Sequence, residues 1–119
     1  VRIVLVEDNE DAREMLETLL KHEGYQVVAT AGTGPEGLET ILKFKPDVAM
    51  LDIGLPGLDG YQLARQLRQE LSDSIRLIAL TGYGQDDDQE ACVTAGFDNH
   101  LVKPIGIKAL NNVLLATEI

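Results

Sequence analysis

Five residues able to do chemistry stand directly behind short apolar runs in this 119-residue chain. Glu7 and Asp8 follow the run 1–6, Asp52 follows 48–51, Thr81 follows 75–80, and Lys103, with Pro104 behind it, follows 100–102. Taken singly, each has an ordinary explanation. An aspartate after an apolar run is most often a turn former or a helix cap, a lysine a solvated surface residue, and a threonine before Gly82 a turn residue. Together they are harder to dismiss. If these runs lie side by side, three carboxylates, a hydroxyl and an ammonium converge. Two unit charges about 5 Å apart repel by about 3 kcal/mol at an effective dielectric of 20, so three ionised carboxylates cost on the order of 10 kcal/mol. That rivals the whole stability of a typical domain, roughly 5–15 kcal/mol. A divalent cation removes the conflict. Oxygen ligands without His or Cys suit a hard ion, Mg²⁺ or Mn²⁺, and Mg²⁺ takes the rest of its shell from water and phosphate oxygens. Thr81 and Lys103 supply a donor and a positive charge for such a phosphate. A carboxylate nucleophile, a metal and phosphate-binding groups make a phosphoryl-transfer site.

The convergence depends on how the chain is built. The first run, Val1-Arg2-Ile3-Val4-Leu5-Val6, is nearly all apolar, as a strand buried on both faces should be. Ala12, Met15, Leu16, Leu19 and Leu20 then recur at helical spacing, with Gly24 placed to end that helix. A second strand covers 26–31, and the residues at its end, Thr30, Ala31 and Gly32, carry no charge. A second helix opens at Gly34-Pro35, where proline suits the first turn, carries Leu38, Ile41 and Leu42 on one face, and stops before Pro46. After the third strand, 48–51, residues 55–58 read as loop and Asp59 as the cap of a helix bearing Leu63, Ala64 and Leu67. A fourth strand spans 75–80. A weaker helix spans 85–95, its early acids suited to the positive end of the helix dipole and its apolar anchors Ala91, Cys92, Val93 and Ala95. A short fifth strand, 100–102, and a last helix with Ile107, Leu110, Val113 and Leu114 complete the chain.

Strand and helix alternate five times, which means parallel pairing with right-handed crossovers. Five strands are too few for an eight-stranded barrel, which needs ~250 residues. The remaining architecture is an open α/β sheet covered by helices on both faces, and such sheets bind ligands outside the carboxyl ends of their strands. The five residues above occupy those ends.

Composition narrows the function. The hydrophobic share of 45% and charged share of 25% are ordinary for a globular domain, so residues 1–119 read as one domain. Twenty acids against ten bases leave a net charge of −10. That surface repels phosphate backbones and anionic lipid, which disfavours nucleic-acid and membrane contact by this domain. A single cysteine fits a reducing, cytoplasmic setting, and Cys92 is expected to be a packed, inert thiol. His22, late in the first helix, is expected at the surface. The chain opens on Val1 inside an apolar run, as a piece of a longer protein would.

The acidic pair Glu7-Asp8, the segment from Leu51 through Asp52, Gly54 and Pro56 to Gly60, the Leu80-Thr81-Gly82 turn and Lys103-Pro104 resemble, over the whole chain, the receiver domains of two-component response regulators. The resemblance implies a doubly wound (βα)5, flavodoxin-like sandwich with strand order 2-1-3-4-5. It implies that Asp52 is the phosphoacceptor, that Glu7, Asp8 and Asp52 hold Mg²⁺ with the main-chain carbonyl of Gly54, and that Thr81 and Lys103 bind the phosphoryl oxygens. A cis peptide before Pro104 is also implied, as X-Pro chemistry permits. The donor would be a phosphohistidine on a histidine kinase or a histidine phosphotransfer domain, and the reader an attached or separate effector. Such a domain is no enzyme beyond its own phosphorylation and dephosphorylation, and a phosphorylation-dependent dimer is compatible with it. The family's switch residue, three before the lysine and commonly Tyr or Phe, is His100 here, paired in the switch with Thr81. The chain fits a single-domain regulator, the receiver half of a longer regulator or the receiver module of a hybrid kinase, and His100 and the opening on Val1 lean towards the last. Tyr83, two after Thr81, is expected to cover the phosphoryl group and slow its hydrolysis.

Rival readings are weaker on the same residues. A flavodoxin-like electron carrier needs a hydroxyl-rich first loop, and here that loop is Glu7-Asp8-Asn9-Glu10-Asp11. An aspartyl phosphatase needs a second acid two residues after the nucleophile, and that position is Gly54. A degenerate receiver that only binds partners would lack a site residue, and none is missing.

Overall fold

The computed structural model describes residues 1–82 and 88–117. Five strands, β1 (Arg2–Val6), β2 (Gln26–Ala31), β3 (Val48–Asp52), β4 (Arg76–Thr81) and β5 (Asn99–Val102), alternate with α1 (Glu10–His22), α2 (Gly34–Phe44), α3 (Gly60–Leu71), α4 (Asp88–Ala95) and α5 (Ile107–Thr117). The strands form one parallel sheet in the order β2-β1-β3-β4-β5. The alternation along the sequence thus yields the expected doubly wound topology.

Two apolar cores cover the two faces of the sheet. On one, Val4, Val6, Ala49, Leu51, Leu77 and Ala79 meet Ile41 of α2, Leu63, Ala64 and Leu67 of α3, and Cys92 and Ala95 of α4. On the other, Ile3, Leu5, Met50, Ile78 and Leu80 meet Leu16 and Leu20 of α1 and Leu110 and Leu114 of α5. Successive strand residues feed opposite cores, as the period of two requires. That explains why the runs are apolar throughout: β3 is buried at every position.

Local signals set the boundaries. The Asn9 side chain caps α1 by accepting from the Ala12 N–H at 2.9 Å, and this starts the helix right after the acidic pair. Thr33 caps α2 with Pro35 in its first turn. Asp59 and Gln62 form a reciprocal capping box on α3. Lys45 ends α2 in the left-handed region at φ 46°. A Cβ on Gly60 would stand 2.5 Å from the Ile53 Cα and 2.6 Å from the Asp52 carbonyl oxygen. Glycine at the start of α3 is what lets that helix close against the end of β3.

Helix periodicity misplaced some side chains. Met15, expected on the inner face of α1, is 75% exposed, and Val93, expected to anchor α4, is 74% exposed. Ala91 is exposed too. The described anchors of α4 are therefore Cys92 and Ala95, and Cys92 is buried as expected. His22 is exposed. Residue 85, the expected start of the fourth helix, and Tyr83 lie outside the described residues.

Candidate functional site

The chain lays β2 on one side of β1 and β3 on the other, so the strand order reverses between β1 and β3. A crevice opens at such a reversal, because the following loops diverge to opposite faces. Glu7 and Asp8 leave β1 there, and Asp52 is the last residue of β3. One carboxylate oxygen from each of the three lies within 4.8 Å of the others. Glu7 and Asp52 are buried, while Asp8 is exposed.

Lys103 reaches this cluster from beyond β5. Its Nζ lies 3.0 and 2.9 Å from the two Glu7 carboxylate oxygens and 3.1 Å from Asp52 Oδ2. The other oxygen, Asp52 Oδ1, accepts from the Gly54 N–H at 2.9 Å. The Lys103–Pro104 peptide is cis.

Burial dominates the electrostatics of Glu7. It raises the carboxyl to about 7, with the hydrogen bond to Asp52 and the Asp52 charge acting the same way against Lys103. Burial pushes Asp52 upward as well, but a hydrogen bond from Glu7, the Gly54 N–H and Lys103 outweigh it and hold Asp52 below its ordinary value. Burial works against the Lys103 charge, yet the two carboxylates win and keep it above the usual lysine range. Two acids 45 positions apart are thereby driven in opposite directions, Glu7 towards a proton and Asp52 towards a bare carboxylate. Such a split marks sites where neighbouring acids have different tasks.

Thr81 ends β4 in register with Val102 and is buried, its hydroxyl donating to the Leu101 carbonyl oxygen at 3.4 Å. His100 is half-buried on β5, in register with Ala79. Ala79 belongs to the core under α4, so by alternation Thr81 and His100 stand on the α4 face of adjacent strands. The main chain binds this corner as well, the Lys103 N–H donating to the Thr81 carbonyl oxygen at 2.8 Å.

Arg13, absent from the sequence reading, supports the acidic pair. Its Nη1 donates to the Glu7 carbonyl oxygen at 2.9 Å. The signal was its place one turn into α1, six residues after Glu7, but an arginine among the acids 10, 11 and 14 reads equally well as surface charge.

Comparison with known proteins agrees with this geometry. The family model for the response regulator receiver domain matches residues 3–115. The transcriptional regulatory protein AfsQ1 of Streptomyces coelicolor is 35% identical over 109 residues, covering 92% of this chain and 47% of that protein. The response regulator MprA of Mycobacterium ulcerans is 37% identical over 110 residues, with coverage of 92% and 47%. The REC domain of AraT, a response regulator from Geobacillus stearothermophilus, superposes with a TM-score of 0.87 at 26% identity, covering 98% of this chain and 92% of that one. This chain belongs to the response regulator receiver domain family, whose members serve two-component signalling. It spans about half the length of the curated relatives it matches. No helix among the described residues is long and apolar enough to cross a membrane.

Proposed function

We propose that Asp52 accepts a phosphoryl group from a phosphohistidine of a histidine kinase or phosphotransfer protein. The observation that carries this is the Asp52 carboxylate itself. It stands at the reversal of the sheet, held anionic by Gly54 and Lys103, with Glu7 and Asp8 beside it. A carboxylate kept free of protons in a partly closed site is a ready nucleophile. The all-oxygen set of Glu7, Asp8 and Asp52, joined by the Gly54 carbonyl, fits Mg²⁺ or Mn²⁺. Such an ion supplies positive charge against the phosphoryl oxygens. Asp52 contributes the attacking oxygen. Lys103, now shared by two carboxylates, turns its ammonium to a phosphoryl oxygen once one arrives, and the Thr81 hydroxyl exchanges its long bond to Leu101 for another.

Readout follows from that exchange. Thr81 moves towards the phosphoryl group, and His100, on the same face of the next strand, takes up the space it leaves. The α4–β5–α5 face then changes, and an attached or separate effector, or a second copy of the domain, reads it. An imidazole is smaller than a phenol ring, so it fills less of that space than the family's usual aromatic residue would. Residues 1–119 act in this scheme as one receiver domain in the cytoplasm, whether as a single-domain regulator, part of a longer regulator or the module of a hybrid kinase, with no nucleic-acid or membrane contact of its own.

Incubation with acetyl phosphate and Mg²⁺, followed by intact-mass measurement, is expected to add one phosphoryl group to the parent and none to Asp52→Asn. A phosphorylated Asp52→Asn would overturn the assignment. A second expectation concerns Asp8, the exposed member of the cluster. Asp8→Ala removes a charge that repels Glu7 and Asp52, so it should raise the melting temperature in EDTA. It should also lose the stabilisation by Mg²⁺, which for a single site at ten times Kd is about 1.4 kcal/mol. A variant that gains as much from Mg²⁺ as the parent would remove Asp8 from the ligands.

A further inference from the structure

The phosphoacceptor site is not polar on every side. A cleft of about 250 Å³ opens between α1 and the segment after β5, walled by Met15, Leu19, Pro104 and Ile105, with Glu7 and Lys103 at its polar end. Met15 spends its thioether side chain here, 75% exposed and outside both cores. A single exposed methionine is ordinary. An apolar cleft that ends on two of the charged groups holding the acceptor site is not, since Lys103 Nζ is itself 3.1 Å from Asp52 Oδ2.

In-line displacement at phosphorus puts the leaving group on the side away from the attacking oxygen. The leaving group must therefore rest outside the carboxylate cluster, and the cleft is apolar surface continuous with that cluster. We propose that this cleft receives the leaving group of small phosphoryl donors, so that the protein prefers acyl phosphates with an aromatic body to acetyl phosphate. The inference rests on the reading of Asp52 as phosphoacceptor. The size is adequate, because an apolar cavity of about 150 Å³ already holds benzene. The net charge of −10 and the groups that meet the phosphoryl oxygens act alike on both donors, which leaves apolar contact as what tells one acyl body from another. In the step, a carboxylate oxygen of Asp52 forms the new O–P bond with its lone pair. The P–O bond to the acyl group breaks, and its electron pair leaves on the released carboxylate. No proton is gained or lost and nothing is oxidised.

The test compares rates of Asp52 phosphorylation by benzoyl phosphate and acetyl phosphate in Mg²⁺, each divided by that donor's hydrolysis rate in the same buffer. The normalised benzoyl-to-acetyl ratio is expected to be about tenfold, the low end of what one apolar pocket contact discriminates. Met15→Ser and Ile105→Ser should each lower it about threefold, and Met15→Leu should keep it. A normalised ratio near one, or a ratio unmoved by both serine variants, would overturn the proposal. If acetyl phosphate labels Asp52 but benzoyl phosphate has no advantage, the cleft alone is misread. If neither donor labels Asp52, the phosphoacceptor reading fails and this inference falls with it.

Discussion

Glu7→Gln is expected to stabilise the metal-free protein by about 3 kcal/mol at pH 8 and to leave it unchanged near pH 4.5. Glu7 is 2% exposed, and burial, with the Asp52 carboxylate beside it, raises its pKa from an ordinary 4.5 to about 7. Between those values the folded chain holds a proton that the unfolded chain has released. A proton favours whichever state binds it more tightly, here the folded one, so this contribution is fully present below pH 4.5 and is lost as pH rises through about 7. At 1.36 kcal/mol per pH unit the loss is about 3 kcal/mol. Glutamine imitates the protonated acid at every pH and avoids the loss. The neighbouring groups act in other windows. Asp52, held below its ordinary value, contributes stability that is lost only as pH falls through its lowered folded pKa, on the acid side of 3.8. Lys103, held above 10.5, loses its contribution only in alkali beyond that value. Urea unfolding of parent and variant in EDTA from pH 5 to 8 checks this. Two parallel profiles would show that Glu7 ionises in the folded protein as freely as in the unfolded chain. Excess Mg²⁺ should erase much of the difference, because a cation among the three acids favours the ionised Glu7 of the parent and meets only an amide in the variant.

Arg68→Ala should cost about 3 kcal/mol, and Arg68→Lys nearly as much. The Arg68 guanidinium leaves α3 and donates to three main-chain carbonyl oxygens, Gly96 at 2.8 Å and Ser72 and Ile75 at 2.7 Å each. It also pairs with Asp98 Oδ2 at 2.7 Å, which in turn accepts from the Leu77 N–H at 2.9 Å. One side chain thus ties the end of α3, the start of β4 and the turn between α4 and β5. Alanine leaves partly buried carbonyls and a carboxylate short of donors, at about 1–3 kcal/mol for each group that water cannot reach. Lysine has no planar fork and cannot serve four acceptors in these directions. The loss should be concentrated at α4, which has Cys92 and Ala95 as its described buried anchors. Amide exchange is expected to accelerate over 92–97 more than in β1 or β3. A loss below about 1 kcal/mol would mean that water replaces the guanidinium at these carbonyls.

These two residues differ in how far the sequence announced them. Glu7 was legible as a member of the carboxylate cluster because a parallel sheet brings strand ends to one edge, and the apolar runs locate those ends to within a residue. Asp52 and Thr81 proved to be the last residues of β3 and β4 rather than the first after them, a difference without consequence for the edge they occupy. Arg68 was not legible. It sits on the polar side of an amphipathic helix like any solvated arginine, and its partners Gly96 and Asp98 are 28 and 30 residues away.

The sequence by itself determined the α/β alternation, the cap at Asp59 and the edge on which Glu7, Asp8, Asp52, Thr81 and Lys103 gather, since all of these follow from local periodicity and from the direction of parallel strands. Only the tertiary structure decided what each group meets there. Lys103 lies against Glu7 and Asp52, Glu7 rather than Asp52 is driven towards its proton, and Met15 faces a cleft rather than a core. The reason is one of range. Secondary structure is encoded over a few neighbouring residues, whereas desolvation and charge pairing depend on side chains up to 96 positions apart, which meet only after the sheet has closed around them.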